Sequence, residues 1–176
     1  MWFKVRAADA TFTDASKKRF TYDFRVDMTP DEVFRIVTAP SEIGRWMPDV
    51  RGARWVTGEP HGVGSLREVR LSTIAVHAKV LLWEPGERFA FTIVRASAPI
   101  LKRMVEDFRF EPIGLPVGAR ALGTGLGPSP ATRVRWTISY QPKALAMPLE
   151  PLLAPRFAKM FEAASRRLTQ LDGGAA

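Results

Sequence analysis

Glu106 is a carboxylate in an unusual setting. It falls in the run MVEDFRFEP, residues 104–112, which reads as a β-strand whose side chains alternate between two faces. Met104, Glu106, Phe108 and Phe110 then share an apolar face, and Val105, Asp107, Arg109 and Glu111 share one that reads as surface. A carboxylate pointing inward must be hydrogen-bonded or paired, or a raised pKa will neutralise it. Two readings follow. Glu106 either lines a ligand cavity, where it would bond to or exchange a proton with a hydroxyl or enol, or it meets an arginine near the rim. Arg95 and Arg67 are the arginines considered, and a bulge turning Glu106 to solvent is the remaining variant.

Other reactive side chains are sparse. With no cysteine, thiol nucleophiles, disulfides and thiolate metal sites are excluded, and the two histidines, His61 and His77, lack ligand spacing. No metal centre is expected. His77 falls with Thr73, Lys79 and Trp83 on the polar side of TIAVHAKVLLW, so an exposed histidine is expected there; a one-residue register shift would turn it inward. Tyr22 and Tyr140 lie on inward faces, where their hydroxyls would meet a ligand or, more simply, a backbone group at the core edge. GEPHGVGS, residues 58–65, carries a Gly-x-Gly but opens no helix, so it reads as a hairpin loop. Walker, dinucleotide and GxSxG patterns are absent, and no cofactor is expected.

The elements that would position these residues are marked clearly. RFTYDFRV (19–26) alternates as a half-buried strand. Thr29, Pro30 and Glu32 in DMTPDEVFRIV spell a helix start with a capping box, and a second short helical turn lies between Pro40 and Pro48. Strands follow at 50–57, 65–71, 73–83, 88–94, 101–111 and 132–140. Leu149, Leu153, Phe157, Met160, Ala164, Leu168 and Leu171 make one apolar stripe on a helix over 148–171. The stretch 112–131 is a long Gly- and Pro-rich loop, of a length that is usually functional or disordered. Short connections between consecutive strands imply an antiparallel sheet, covered by the helix.

The 176 residues suit one domain, with 46% hydrophobic and 25% charged residues. The division expected is an N-terminal extension over 1–19, a single domain over 20–171 and a flexible tail over 172–176. The 26 Lys and Arg against 18 Asp and Glu give a formal charge of +8, spread along the chain without a nucleic-acid-binding signature. No nucleic-acid partner is expected. No run reaches the about 20 apolar residues that a membrane span needs, and the N-terminus lacks a signal-peptide core. The default expectation is a cytoplasmic protein.

The stretches TPDEVFRIVTAPSEIGRWMPDV, GVGSLREVR, WEPGERFAFTI, DFRFEP, TRVRW and RFAKMFEAASRRLTQL resemble the START-like (Bet v 1-like, SRPBCC) superfamily, and within it the bacterial polyketide cyclase/dehydrase and lipid-transport group. The resemblance implies an α+β helix-grip fold: a curved seven-stranded antiparallel sheet around a long C-terminal helix, with two short helices after the first strand. It also implies a cavity for hydrophobic ligands such as lipids or polyketides. The superfamily shares no catalytic set, so none is carried over. The contacts expected on such a ligand are Trp46, Phe91, Met104, Glu106, Phe108, Trp136, Tyr140, Phe157 and Met160, with Glu106 the candidate for catalysis and a tyrosine the other group considered for it. A binding module is the leading expectation. A polyketide cyclase/dehydrase enzyme is the alternative, and a protein-interaction module of co-chaperone or ribosome-associated type is the third.

Overall fold

The computed structural model describes residues 1–113 and 130–171. Most of the Gly/Pro-rich loop and the whole C-terminal tail therefore lie outside the described residues. In chain order the elements are β1 (Phe3–Lys4), α1 (Phe12–Ala15), β2 (Arg19–Val26), α2 (Pro30–Thr38), α3 (Pro40–Trp46), β3 (Val50–Trp55), β4 (Leu66–Leu71), β5 (Ala75–Glu84), β6 (Arg88–Ala96), β7 (Leu101–Ile113) and β8 (Ala131–Pro142). A 3-10 turn (Ala144–Leu149) then leads into α4 (Glu150–Thr169).

The strands run β2-β8-β7-β6-β5-β4-β3, all antiparallel. Helices α2 and α3 carry the chain from the β2 edge to the β3 edge, and α4 lies across the inner face, as the helix-grip reading expects. The start of α2 behaves as its sequence dictates. The Thr29 hydroxyl accepts from the Glu32 amide at 3.3 Å, and the Glu32 carboxylate accepts from the Thr29 amide at 2.8 Å. Two otherwise orphaned donors are thereby satisfied. The EPGE turn needs its glycine. Gly86 has φ +69, and a Cβ there would come within 2.6 Å of the Asp31 carboxylate.

Four departures from the sequence reading have physical causes. First, the sheet gains an eighth strand. β1 pairs with Arg95 and Ala96 of β6 where β7 has diverged, with Val5 donating to the Val94 carbonyl and Arg6 to that of Lys102. Second, the rest of the N-terminal extension contains α1, and this segment covers the outer sheet face. Val105 and Asp107, expected at a surface, are buried there together with Thr92 and Ser139. Thr92 Oγ1 accepts from the Ala8 amide, and Ser139 Oγ donates to the Thr13 carbonyl.

Third, a bulge between Val80 and Leu82 in β5 rotates the strand by one position. Trp83, expected outside, turns inward and packs edge-on against Phe34 and Phe89. Fourth, the first position of the apolar stripe does not face inward. Leu149 ends a 3-10 turn that contains Pro148, and there it is exposed. The rest of the stripe holds, with Ala164 and Leu168 buried and Leu153, Phe157, Met160 and Leu171 half-buried; the buried Phe161 is not part of it.

Thr29→Ala removes the cap while leaving the core untouched. A loss of about 1 kcal/mol is expected in urea unfolding, and an unchanged midpoint would show that packing alone holds α2.

Candidate functional site

Between the inner sheet face and α4 lies a cavity of about 120 Å³. Its walls are almost entirely apolar. Helix α3 contributes Ile43 and Trp46, β6 contributes Phe91 and Ile93, and α4 contributes Leu153, Phe157 and Met160. Two charged side chains of the sheet interrupt this lining: Glu106 from β7 and Arg67 from β4.

Glu106 is 6% exposed, and the indole N–H of Trp136 donates to its Oε2 at 3.1 Å. Strand pairing makes this bond possible. Phe108 lies opposite Trp136 in the β7/β8 ladder, and the two rings stack 4.8 Å apart. Trp46 and Phe161 pack edge-on against the same indole, so its N–H is held in one direction. Loss of water pushes the Glu106 carboxyl up to about 7, against the opposing pull of the Arg67 charge and the Trp136 bond.

Arg67 is 4% exposed and far from the rim position expected for it. Its Nη1 donates to the carbonyls of Val37 and Thr38 at 3.1 and 3.2 Å. These are acceptors that a helix C-terminus leaves unpaired, and the dipole there favours a cation. The guanidinium also lies over the rings of Phe91 and Phe89, 5.1 and 5.4 Å from their centres. Burial draws its pKa down to about 10 while the Glu106 charge raises it, which leaves it protonated at neutral pH. The two opposite charges influence one another without forming a direct salt bridge, and among the described residues only Nη1 of Arg67 and Oε2 of Glu106 have hydrogen-bond partners.

Trp46 brings a further polar atom. It lines the cavity, it is buried, and its indole N–H has no hydrogen-bond partner among the described residues. Tyr140 lines the far end and donates to Glu150 at 3.0 Å. Burial foremost, then that bond, pushes its hydroxyl up to about 12. Glu150 is also paired with Lys18 at 2.7 Å.

Of the nine residues read as ligand contacts, Trp46, Phe91, Met104, Glu106, Tyr140, Phe157 and Met160 line the cavity. Phe108 and Trp136 do not. They are fully buried behind Glu106 and support it. Tyr22 takes the simpler of its two readings and donates to the Ala158 carbonyl at 2.9 Å. His77 is on the outer face as expected, but not exposed. It bonds to Glu68 at 3.0 Å under the ring of Trp2. The residue whose importance sequence reasoning missed is Arg67. The run LREVRL carries charges on both faces, so alternation alone could not say which of them was inside.

A sheet wrapped around a C-terminal helix, with an apolar cavity between them, defines the START-like class of proteins. More narrowly, residues 17–171 match the model of the family described as polyketide cyclase / dehydrase and lipid transport, and the chain belongs to that family. An uncharacterized protein of Mycobacterium tuberculosis is 28% identical over 115 residues, covering 65% of this chain and 68% of that one. A START superfamily protein from Mycobacterium smegmatis superposes with a TM-score of 0.59 at 14% identity, covering 86% and 94% of the two chains. Ginseng major latex-like protein 151 from Panax ginseng gives 0.60 at 13% identity, covering 87% and 95%. The di-domain ARO/CYC BexL of the BE-7585A biosynthetic pathway gives 0.64 at 14% identity, covering 87% of this chain and 45% of that one. At these identities the structures share the fold.

The raised Glu106 pKa sets a sign for stability against pH. The unfolded chain releases this proton near 4.5, whereas the folded protein keeps it to about 7. Between those values the folded state binds more protons, so stability falls as pH rises. Melting temperature should therefore decline across pH 5–7 in the wild type and less steeply in Glu106→Gln. Parallel profiles would place the proton elsewhere.

Proposed function

We propose that this chain binds a small, largely apolar molecule carrying a hydroxyl, phenol or carbonyl oxygen in the cavity between the sheet and α4. The observation that carries the reading is the placement of three incompletely satisfied polar groups, Glu106, Arg67 and the Trp46 indole N–H, in otherwise apolar walls. Ligand pockets are built this way, with apolar surface for affinity and a few fixed polar atoms for orientation. A protonated Glu106 would donate to a carbonyl, and an ionised one would accept from a hydroxyl. Arg67 and Trp46 supply only donors.

Size limits the ligand. An apolar cavity of about 150 Å³ admits a single benzene ring, so the 120 Å³ found here suits one ring, with more room only if α4 lifts. Its lining residues Leu153, Phe157 and Met160 are half-buried, so such a movement exposes comparatively little apolar surface.

The pKa of Glu106 favours a second reading, that of an enzyme. A carboxyl near 7 suits general acid–base catalysis at neutral pH, and the family description includes cyclases and dehydrases. In that case Glu106 would assist enolisation or loss of water from a keto chain folded against the cavity wall.

The two readings separate experimentally. Native mass spectrometry of freshly purified protein should show a co-purifying small molecule, and p-cresol, a single-ring phenol, at about 100 times its Kd should raise Tm by roughly 5–10 °C. Ala154→Phe, which fills space at the α4 wall, should weaken that binding at least about tenfold while circular dichroism stays unchanged. Unweakened binding in this variant would place the ligand outside the cavity. If the protein is a cyclase, Glu106→Gln should lower turnover of a poly-keto substrate by about 10²-fold or more while binding persists.

A further inference from the structure

The 3-10 turn and the first turn of α4, residues 144–155, present two apolar sides. Ala146, Glu150, Leu153 and Ala154 face the cavity. Leu145, Met147, Leu149 and Leu152 face outward and are 81%, 58%, 53% and 59% exposed. Scattered exposed leucines are ordinary in soluble proteins. Here, however, four of the eight large hydrophobics exposed among the described residues fall within eight consecutive positions. Such clustering marks an interaction surface.

Charge selects the occupant. The one acid in the segment, Glu150, is neutralised by Lys18 and bonded to Tyr140, so the apolar side presents no free negative charge. Arg156 and Lys159 continue the helix face of Leu152, four and seven positions on. Both are exposed, and neither has a salt bridge among the described residues. Apolar side chains beside exposed cations are the pattern of a segment that lies in the interface of an anionic membrane. A second copy of the chain fits poorly. A two-fold contact through this patch would gather two copies of Arg156 and Lys159 into one interface, where the segment's one acid is already paired with Lys18, in a chain already carrying +8.

We propose that residues 144–155 dock the protein on an anionic lipid bilayer, seating Leu145, Met147, Leu149 and Leu152 among the acyl chains and Arg156 and Lys159 at the headgroups. Because this segment is also a wall of the cavity, docking puts the ligand compartment one chain-thickness from the lipid. A molecule of low water solubility would then pass between bilayer and cavity. That last step rests on the ligand-binding reading; the docking does not.

Flotation of the full chain with phosphatidylcholine vesicles, with and without 30 mol% phosphatidylglycerol, tests the docking. Binding to the anionic vesicles is expected, weakening as salt rises. Leu149→Glu/Leu152→Glu and Arg156→Glu/Lys159→Glu should each reduce it roughly tenfold or more. Absence of binding, or binding indifferent to both double variants, would overturn the proposal. So would a dimer in light scattering that Leu149→Glu/Leu152→Glu dissociates, or selective capture of an acidic protein through this patch without vesicle binding. The p-cresol melting shift, measured without vesicles, reads the cavity alone, so failure of ligand binding and failure of docking are told apart.

Discussion

The burial of the Arg67 charge is the constraint on which the site depends. A guanidinium removed from water is tolerated only where fixed dipoles and opposite charge replace its hydration. Here three separate elements supply them. Helix α2 offers its last two carbonyls, β6 offers the faces of Phe89 and Phe91, and β7 offers the carboxylate of Glu106. The arginine thus ties the end of α2 to the middle of the sheet. The turn into α3 follows directly, which brings Ile43 and Trp46 over the cavity.

Glu106 is held by a complementary device. Its carboxylate does not depend on long flexible partners. It is fixed by the indole of Trp136, which Phe108 stacks against and Trp46 and Phe161 brace from the edge. Rings have few rotatable bonds, so such a cluster orients a polar atom at small entropic cost. The cavity therefore has two polar poles of different character. One is cationic and set by backbone carbonyls, and the other is titratable and set by aromatic packing.

Much of this was legible in the sequence. The capping box at Thr29 and Glu32, the order of elements and the inward parity of Glu106 all follow from local chemistry, which the folded chain respects. What was not legible depends on contacts between distant segments. Nothing in MVEDFRFEP says that residues near the N-terminus will cover Val105 and Asp107. The bulge that turns Trp83 inward obeys no two-residue period. The run LREVRL is charged on both faces, and only the position of the α2 terminus decides that Arg67 belongs inside. Leu149 fits the helical stripe, yet it ends a 3-10 turn, whose different pitch turns it outward.

The short strand β1 has a consequence for where this domain can be cut. It wedges between β6 and β7 where their ladder opens, and the segment behind it shields Thr92, Val105 and Asp107 from water. The family match starts only at residue 17. The region that the family pattern recognises is thus shorter than the region that packs together. Residues outside the family boundary have become part of the hydrophobic interior, so the shared sheet cannot be excised at that boundary without stripping its cladding.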